Sequence, residues 1–96
     1  MRNIFIVSYD ICEDKRLRKV YNLMRGFGDH LQYSVFQCEL SKTELIELKE
    51  KLSDIINKKE DQVLFIPLGP PNGQHVRGIT SLGLPYCRTD KSCFVV

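Results

Sequence analysis

Residues 3–9, NIFIVSY, narrow the choice of fold more than any other stretch, because they are apolar at nearly every position and stop on a carboxylate, Asp10. A strand with one wet face alternates. A nearly continuous apolar run reads instead as a central strand covered on both faces. The period then changes. Leu17, Val20, Tyr21 and Met24 recur at helical spacing, Asp14 stands where an N-cap is expected, and Gly26 and Gly28 punctuate the end.

Residues 31–40, LQYSVFQCEL, form a second extended stretch, and SKTELIELKEKLSDIINKKED follows it as an amphipathic helix. Ser41 and Glu44 make a capping box, and Leu45, Leu48, Leu52, Ile55 and Ile56 make the buried stripe. Lys42, Glu47, Lys49, Glu50 and Lys51 mix both signs and read as a solvated outer face. QVLFIPL (62–68) is a third strand stopped by the turn GPPNG. An irregular segment leads to KSCFVV, a β-prone run that needs a sheet to complete, its own or a partner's. The expected architecture is βαβ–αβ plus a C-terminal strand, an α/β sandwich with helices on one face of the sheet or on both. A ferredoxin-like sheet would need two strands between the helices. Residues 31–40 contain no turn residue to divide them, so only a bend or bulge near Ser34 would supply that hairpin.

With 96 residues the chain is expected to be one domain spanning 1–96. A domain this small buries roughly 60–70% of its unfolded surface, which makes a homo-oligomer a natural expectation. No apolar run approaches the roughly 20 residues of a transmembrane helix, and MRNIFIVSYD has no signal-peptide pattern. A cytoplasmic chain is expected, with Cys12, Cys38, Cys87 and Cys93 reduced and, lacking any C-x-x-C pair, without zinc.

Fourteen Lys+Arg against twelve Asp+Glu give a formal charge of only +2, so placement matters more than total. On the first helix Lys15, Arg18, Asn22 and Arg25 lie opposite the apolar stripe, with Arg16 and Lys19 on its flank. Five of the seven charges from Glu13 to Arg25 are positive. Plain solvation would account for such a face; a phosphate backbone is the simplest polyanion to satisfy it. Asp10 stands at the carboxyl end of a central strand, where ligands of open α/β sheets collect, although a strand-terminal Asp also serves turns. One carboxylate is a poor Mg²⁺ site, but a twofold dimer doubles it. Two carboxylates about 5 Å apart repel by roughly 3 kcal/mol at an effective dielectric near 20, a cost that a divalent cation or a shared proton removes. His30 and His75 read as bystanders, and no Ser–His–Asp, Cys–His, Gly-rich or His–Glu signature is present.

VSYDI closing the first strand, EDKRLRKV opening a helix, and LQYSVFQCEL followed at once by a capped helix together resemble the CRISPR-associated protein 2 family. The resemblance runs in order from residue 3 to about 68, and the last 28 residues match only in style. It implies a ferredoxin-like βαββαβ sandwich of the α+β kind, with an extra C-terminal strand (about 92–96) exchanged in a homodimer. It implies that Asp10 is the metal-binding carboxylate, with one Mg²⁺ per dimer shared by Asp10 of both subunits. Tyr9, Arg16 and Phe36 accompany Asp10 as catalytic candidates. Lys15, Arg16, Arg18, Arg25 and Ser34 are the nucleic-acid-binding candidates, Ser34 and Phe36 matching a Ser-Val-Phe motif beside the cleft. His30 stands where a basic residue is common, which weakens a phosphate-clamping role there at neutral pH.

Two functions are attached to that family: metal-dependent endonuclease activity on RNA or DNA, and bridging of the CRISPR-associated protein 1 integrase on duplex DNA. The bridging role is the better supported, because no second general base is visible. The rival expectations are a toxin-type small endoribonuclease of the same fold and a ligand-binding regulatory domain with neither basic face nor metal. No membrane partner is expected.

Overall fold

The computed structural model describes residues 2–72 and 82–83. The chain runs β1 (Arg2–Asp10), α1 (Asp14–Arg25), β2 (Asp29–Gln32), β3 (Val35–Ser41), α2 (Lys42–Ile55) and β4 (Gln62–Gly69). The sheet order is β2-β3-β1-β4, and all three pairings are antiparallel. This is the ferredoxin-like βαββαβ topology. The expected C-terminal strand at 92–96 and its exchange lie outside the described residues.

The hairpin between the helices exists, and it splits the stretch that reads as one strand. Gln32 pairs with Val35, leaving Tyr33 and Ser34 as a two-residue turn. Tyr33 has φ +33°, in the left-handed region that Gly or Asn usually occupies. The turn is held by its surroundings: His30 Nε2–H donates to the Tyr33 carbonyl at 2.7 Å, and the Tyr9 N–H donates to the Ser34 carbonyl at 3.0 Å.

Both helices pack on one face of the sheet. Val20 and Met24 of α1 and Leu48 and Leu52 of α2 close over Val7 and Tyr9 of β1 and Phe36, Cys38 and Leu40 of β3. The α2 capping box forms as the sequence predicts, Ser41 and Glu44 each satisfying the other's backbone N–H. On α1 the cap is Glu13, one residue before the expected Asp14; its carboxylate accepts from the Arg16 N–H at 2.9 Å. Gly28 lets the end of α1 press onto β3, since a Cβ there would lie 2.5 Å from the Cys38 sulfur and from the Gln37 carbonyl oxygen.

The other face carries no helix among the described residues. Strand alternation and register place Ile4, Ile6, Ser8 and Asp10 of β1 on it, beside Val35 of β3 and Gln62, Leu64 and Ile66 of β4. Leu64 and Ile66 remain 47% and 45% exposed. The cover on both faces that NIFIVSY predicts is therefore supplied on one side only by the described residues of a single chain. No helix among them is long and apolar enough to cross a membrane.

Candidate functional site

The carboxyl end of β1 and the β2–β3 turn meet at one end of the sheet, and the expected site residues divide between its two faces. Asp10 and Tyr9 are neighbours in a strand, so their side chains point to opposite sides. Tyr9 is buried in the helix-side core, whereas Asp10 is exposed on the helix-free face, opposite Gln62 of β4. The Asp10 carboxylate has no ion pair or side-chain hydrogen bond among the described residues.

No three His, Cys, Asp or Glu side chains come together as a metal site among the described residues. Among the described residues Asp10 is the one carboxylate at this end of the helix-free face, a donor of the type Mg²⁺ takes singly or in pairs beside its waters.

On the helix side, a cleft of about 420 Å³ opens between α1 and the turn. Tyr9 and Ser34 lie at the sheet end of this cleft, Asp14, Leu17, Arg18 and Tyr21 come from α1, and Tyr33 comes from the turn. Arg18 follows Asp14 by four residues, and neither is ion-paired among the described residues. Burial, reinforced by the neighbouring Tyr21 phenol and partly offset by Ser34, raises the Tyr9 phenol above its ordinary value. Tyr9 therefore stays a protonated donor at neutral pH.

Phe36 lies beneath the cleft with no exposed surface. Its ring meets Tyr9 (centroids 6.3 Å apart, planes at 25°), Tyr21 (5.8 Å) and His30 (4.9 Å). Phe36 sets the positions of those three rings and does not line the cleft itself. His30 belongs to this aromatic cluster, edge-on to Tyr21 at 5.3 Å.

Sequence spacing sends the Arg16 guanidinium along the sheet end towards Asp10. In the structure its donors go elsewhere: Nε to Asp61 Oδ2 at 2.7 Å, and Nη2 to Asp61 Oδ1 at 3.2 Å and Glu60 Oε1 at 3.0 Å. The Asp61 side chain has no exposed surface and also accepts from the backbone N–H groups of Cys12 (2.9 Å) and Asn57 (2.8 Å). Arg16 above all, with these backbone donors, holds the Asp61 carboxyl well below the usual carboxylate range, and Asp61 in turn pushes the Arg16 guanidinium still higher. Arg16 thereby braces the start of α1 against the α2–β4 connection.

Lys15, Arg18 and Arg25 are exposed, and the Arg25 guanidinium lies 5.8 Å from the Tyr21 ring centre. The structure thus brings Tyr9, Arg18 and Ser34 together, with Phe36 below them, and keeps Asp10 and Arg16 apart from that group. Sequence reasoning missed Tyr33 and took Tyr21 for core. The available signal was an aromatic residue standing where a turn residue was wanted.

Comparison with known proteins covers most of the chain. The family model described as CRISPR associated protein Cas2 matches residues 3–75. A protein of Geobacter sulfurreducens named CRISPR-associated endoribonuclease Cas2 is 44% identical over 86 residues, covering 90% of each chain. A Synechocystis protein of the same description is 42% identical over 65 residues, 68% of this chain and 71% of its own. The crystal structure of Streptococcus pyogenes Cas2 at pH 6.5 superposes with a TM-score of 0.73 at 35% identity, covering 83% of this chain and 99% of that one.

Proposed function

The chain belongs to the CRISPR associated protein Cas2 family, and from that premise we propose that it acts as a homodimer in spacer acquisition, binding duplex DNA and bridging the integrase, CRISPR-associated protein 1. The observation that carries this reading is the helix-free sheet face, where Ile6, Leu64 and Ile66 stand beside Asp10, whose carboxylate has no ion pair among the described residues. An apolar face of this kind is stabilised by a second copy, and a twofold axis near its end brings two Asp10 carboxylates together. In the same dimer the terminal strand at 92–96 pairs with the partner's sheet. β4, an edge strand among the described residues, is a natural place for such an addition.

Endonuclease activity, the activity in the relatives' names, is the second part of the proposal. The two Asp10 carboxylates would hold one Mg²⁺. When bound, that ion supplies a polarised phosphate and a bound water of lowered pKa. The chain's own part is to hold the carboxylates in place and to seat the polyanion on Lys15, Arg18 and Arg25 of α1, cations that make no ion pair among the described residues. Arg16 supports this indirectly, by fixing the start of α1 through Asp61.

The test is duplex DNA binding across a salt series for the wild type and for Lys15→Ala/Arg18→Ala, two positions that leave the Arg16 brace intact. Log K should fall linearly with log salt, and removing a cation that neutralises one phosphate should flatten the slope by about 0.9. Salt-independent binding would sink the proposal. In parallel, Asp10→Ala should abolish Mg²⁺-dependent cleavage; equal residual cleavage in both proteins removes the nuclease part.

A further inference from the structure

We propose that the cleft between α1 and the β2–β3 turn is a nucleotide pocket that takes one unstacked base of a single-stranded nucleic acid, with Tyr33 as the stacking platform at its mouth. The proposal rests on the nucleic-acid reading above and adds a second, chemically different contact to it.

Tyr33 is the first reason. The residue is 87% exposed, so it contributes little to the core, yet its backbone sits at φ +33°. A bulky residue in that region is strained, and glycine would fit at less cost. Strain at a residue whose side chain buries almost nothing points to a use for the ring outside the fold. The turn is also rigid, pinned through His30 to the Tyr33 carbonyl and through Tyr9 to the Ser34 carbonyl. A stacking surface held this way loses little entropy when a ligand arrives.

The lining is the second reason. Tyr9, Tyr21, Tyr33 and Leu17 supply apolar and aromatic surface around about 420 Å³. That volume lies within the range of small-ligand sites, roughly 300–1,000 Å³. Arg18 and Asp14 stand one helical turn apart at the rim without ion-pair partners among the described residues. A cation and a carboxylate so placed match a nucleotide's two ends. Arg18 attracts the phosphate, while Asp14 repels it and accepts from the N–H groups of a base. Sequence-tolerant stacking on aromatic rings beside a basic track is how single strands are bound, and the bases of an intact duplex are not available for it.

The position fits a strand that also passes Asp10. Tyr9 of the cleft and Asp10 are consecutive residues on opposite faces at the sheet end, so a base seated in the cleft leaves its neighbouring phosphates near that end.

The chain has four tyrosines and no tryptophan, and three of the four line the cleft, so tyrosine emission reports occupancy directly. Wild type, Tyr33→Gly and Tyr33→Phe would be titrated with a short single-stranded RNA, its abasic counterpart, the matching duplex, and free nucleoside monophosphates. The single strand should quench emission and the abasic strand should not. Tyr33→Gly, which suits the local φ and leaves folding intact by circular dichroism, should lower single-strand affinity roughly five-fold or more. Tyr33→Phe should bind within about two-fold of wild type, and neither variant should change duplex affinity or its salt slope. Single-strand binding by Tyr33→Gly equal to wild type, or equal quenching by the abasic strand, overturns the pocket. So does quenching by free nucleotides alone, which would mark a small-molecule site instead. Steep salt-dependent duplex binding alongside any of those results leaves the nucleic-acid reading standing. Binding of neither strand nor duplex by the wild type overturns both.

Discussion

Gly28 and Gly26 lie two residues apart after α1, and alanine should act oppositely at the two sites. At Gly28 an added Cβ would meet the Cys38 sulfur and the Gln37 carbonyl oxygen at 2.5 Å and the Cys38 Cα at 3.0 Å, against an ordinary contact of 3.4–4 Å. Two of the three atoms are backbone of β3, and Cys38 is fully buried, so none can swing aside. Overpacking of this kind costs roughly 1–3 kcal/mol. The loss of glycine's freedom in the unfolded chain offsets about 0.4–1 kcal/mol of that, leaving a net destabilisation of about 1.3 kcal/mol at the middle of the two ranges. At about 4–8 °C per kcal/mol for a domain of this size, Tm should fall by roughly 5–10 °C. At Gly26 the backbone is right-handed (φ −82°, ψ −11°) and the nearest atom to a new Cβ is the Leu23 carbonyl oxygen at 3.4 Å. Only the unfolded-state term remains, so Gly26→Ala should gain about 0.4–1 kcal/mol. Thermal and urea unfolding, followed by circular dichroism at one protein concentration, measures both. A Gly28→Ala Tm at or above wild type would refute the close approach of α1 and β3. A shift of the same sign and size in both variants would refute the distinction between them.

Two further outcomes follow from the titrating groups. The folded-state pKa of Asp61 is depressed by Arg16 and by the backbone donors, so its contribution is fully present above the unfolded value near 4 and is lost as pH falls towards the folded value. The Tm gap between wild type and Asp61→Asn should therefore be widest near neutral pH and narrow below about pH 4; a gap independent of pH would contradict the ion pair. Burial, with the Asp29 charge adding, pushes the Cys38 thiol up to about 12, whereas Cys12 is exposed. Iodoacetamide at pH 8 should label Cys12 in the folded protein and Cys38 only in denaturant, as read by peptide mass mapping; equal labelling rates would contradict the burial.

What could be read from the residues was what local chemistry decides. The Ser41–Glu44 box, the α1 stripe and the apolar β1 depend on neighbours within a turn or two, and they appear as expected. The β2–β3 hairpin was hidden because its turn carries Tyr33 in place of Gly or Asn and relies on a bond from Tyr9, 25 residues away along the chain. The family resemblance supplied the hairpin where composition did not. Arg16 was misdirected for a related reason: helical spacing gives the side of α1 it occupies, but its partner Asp61 lies 45 residues downstream. Asp14 and Glu13 compete as caps within one residue, and the choice went to the longer side chain that reaches the Arg16 N–H.

The placement of β1 has a consequence for how the protein is made. β1 leaves the ribosome before both of its neighbours in the sheet, and one of them, β4, begins 52 residues after β1 ends, from Asp10 to Gln62. At roughly 5–20 residues per second, the nascent chain carries that apolar ribbon with one hydrogen-bonding edge open for about 3–10 s. The Arg16 brace has to wait for the same stretch, since Asp61 immediately precedes β4. The strand that carries Asp10 is thus made before both of its neighbours and completed only when the later of them arrives.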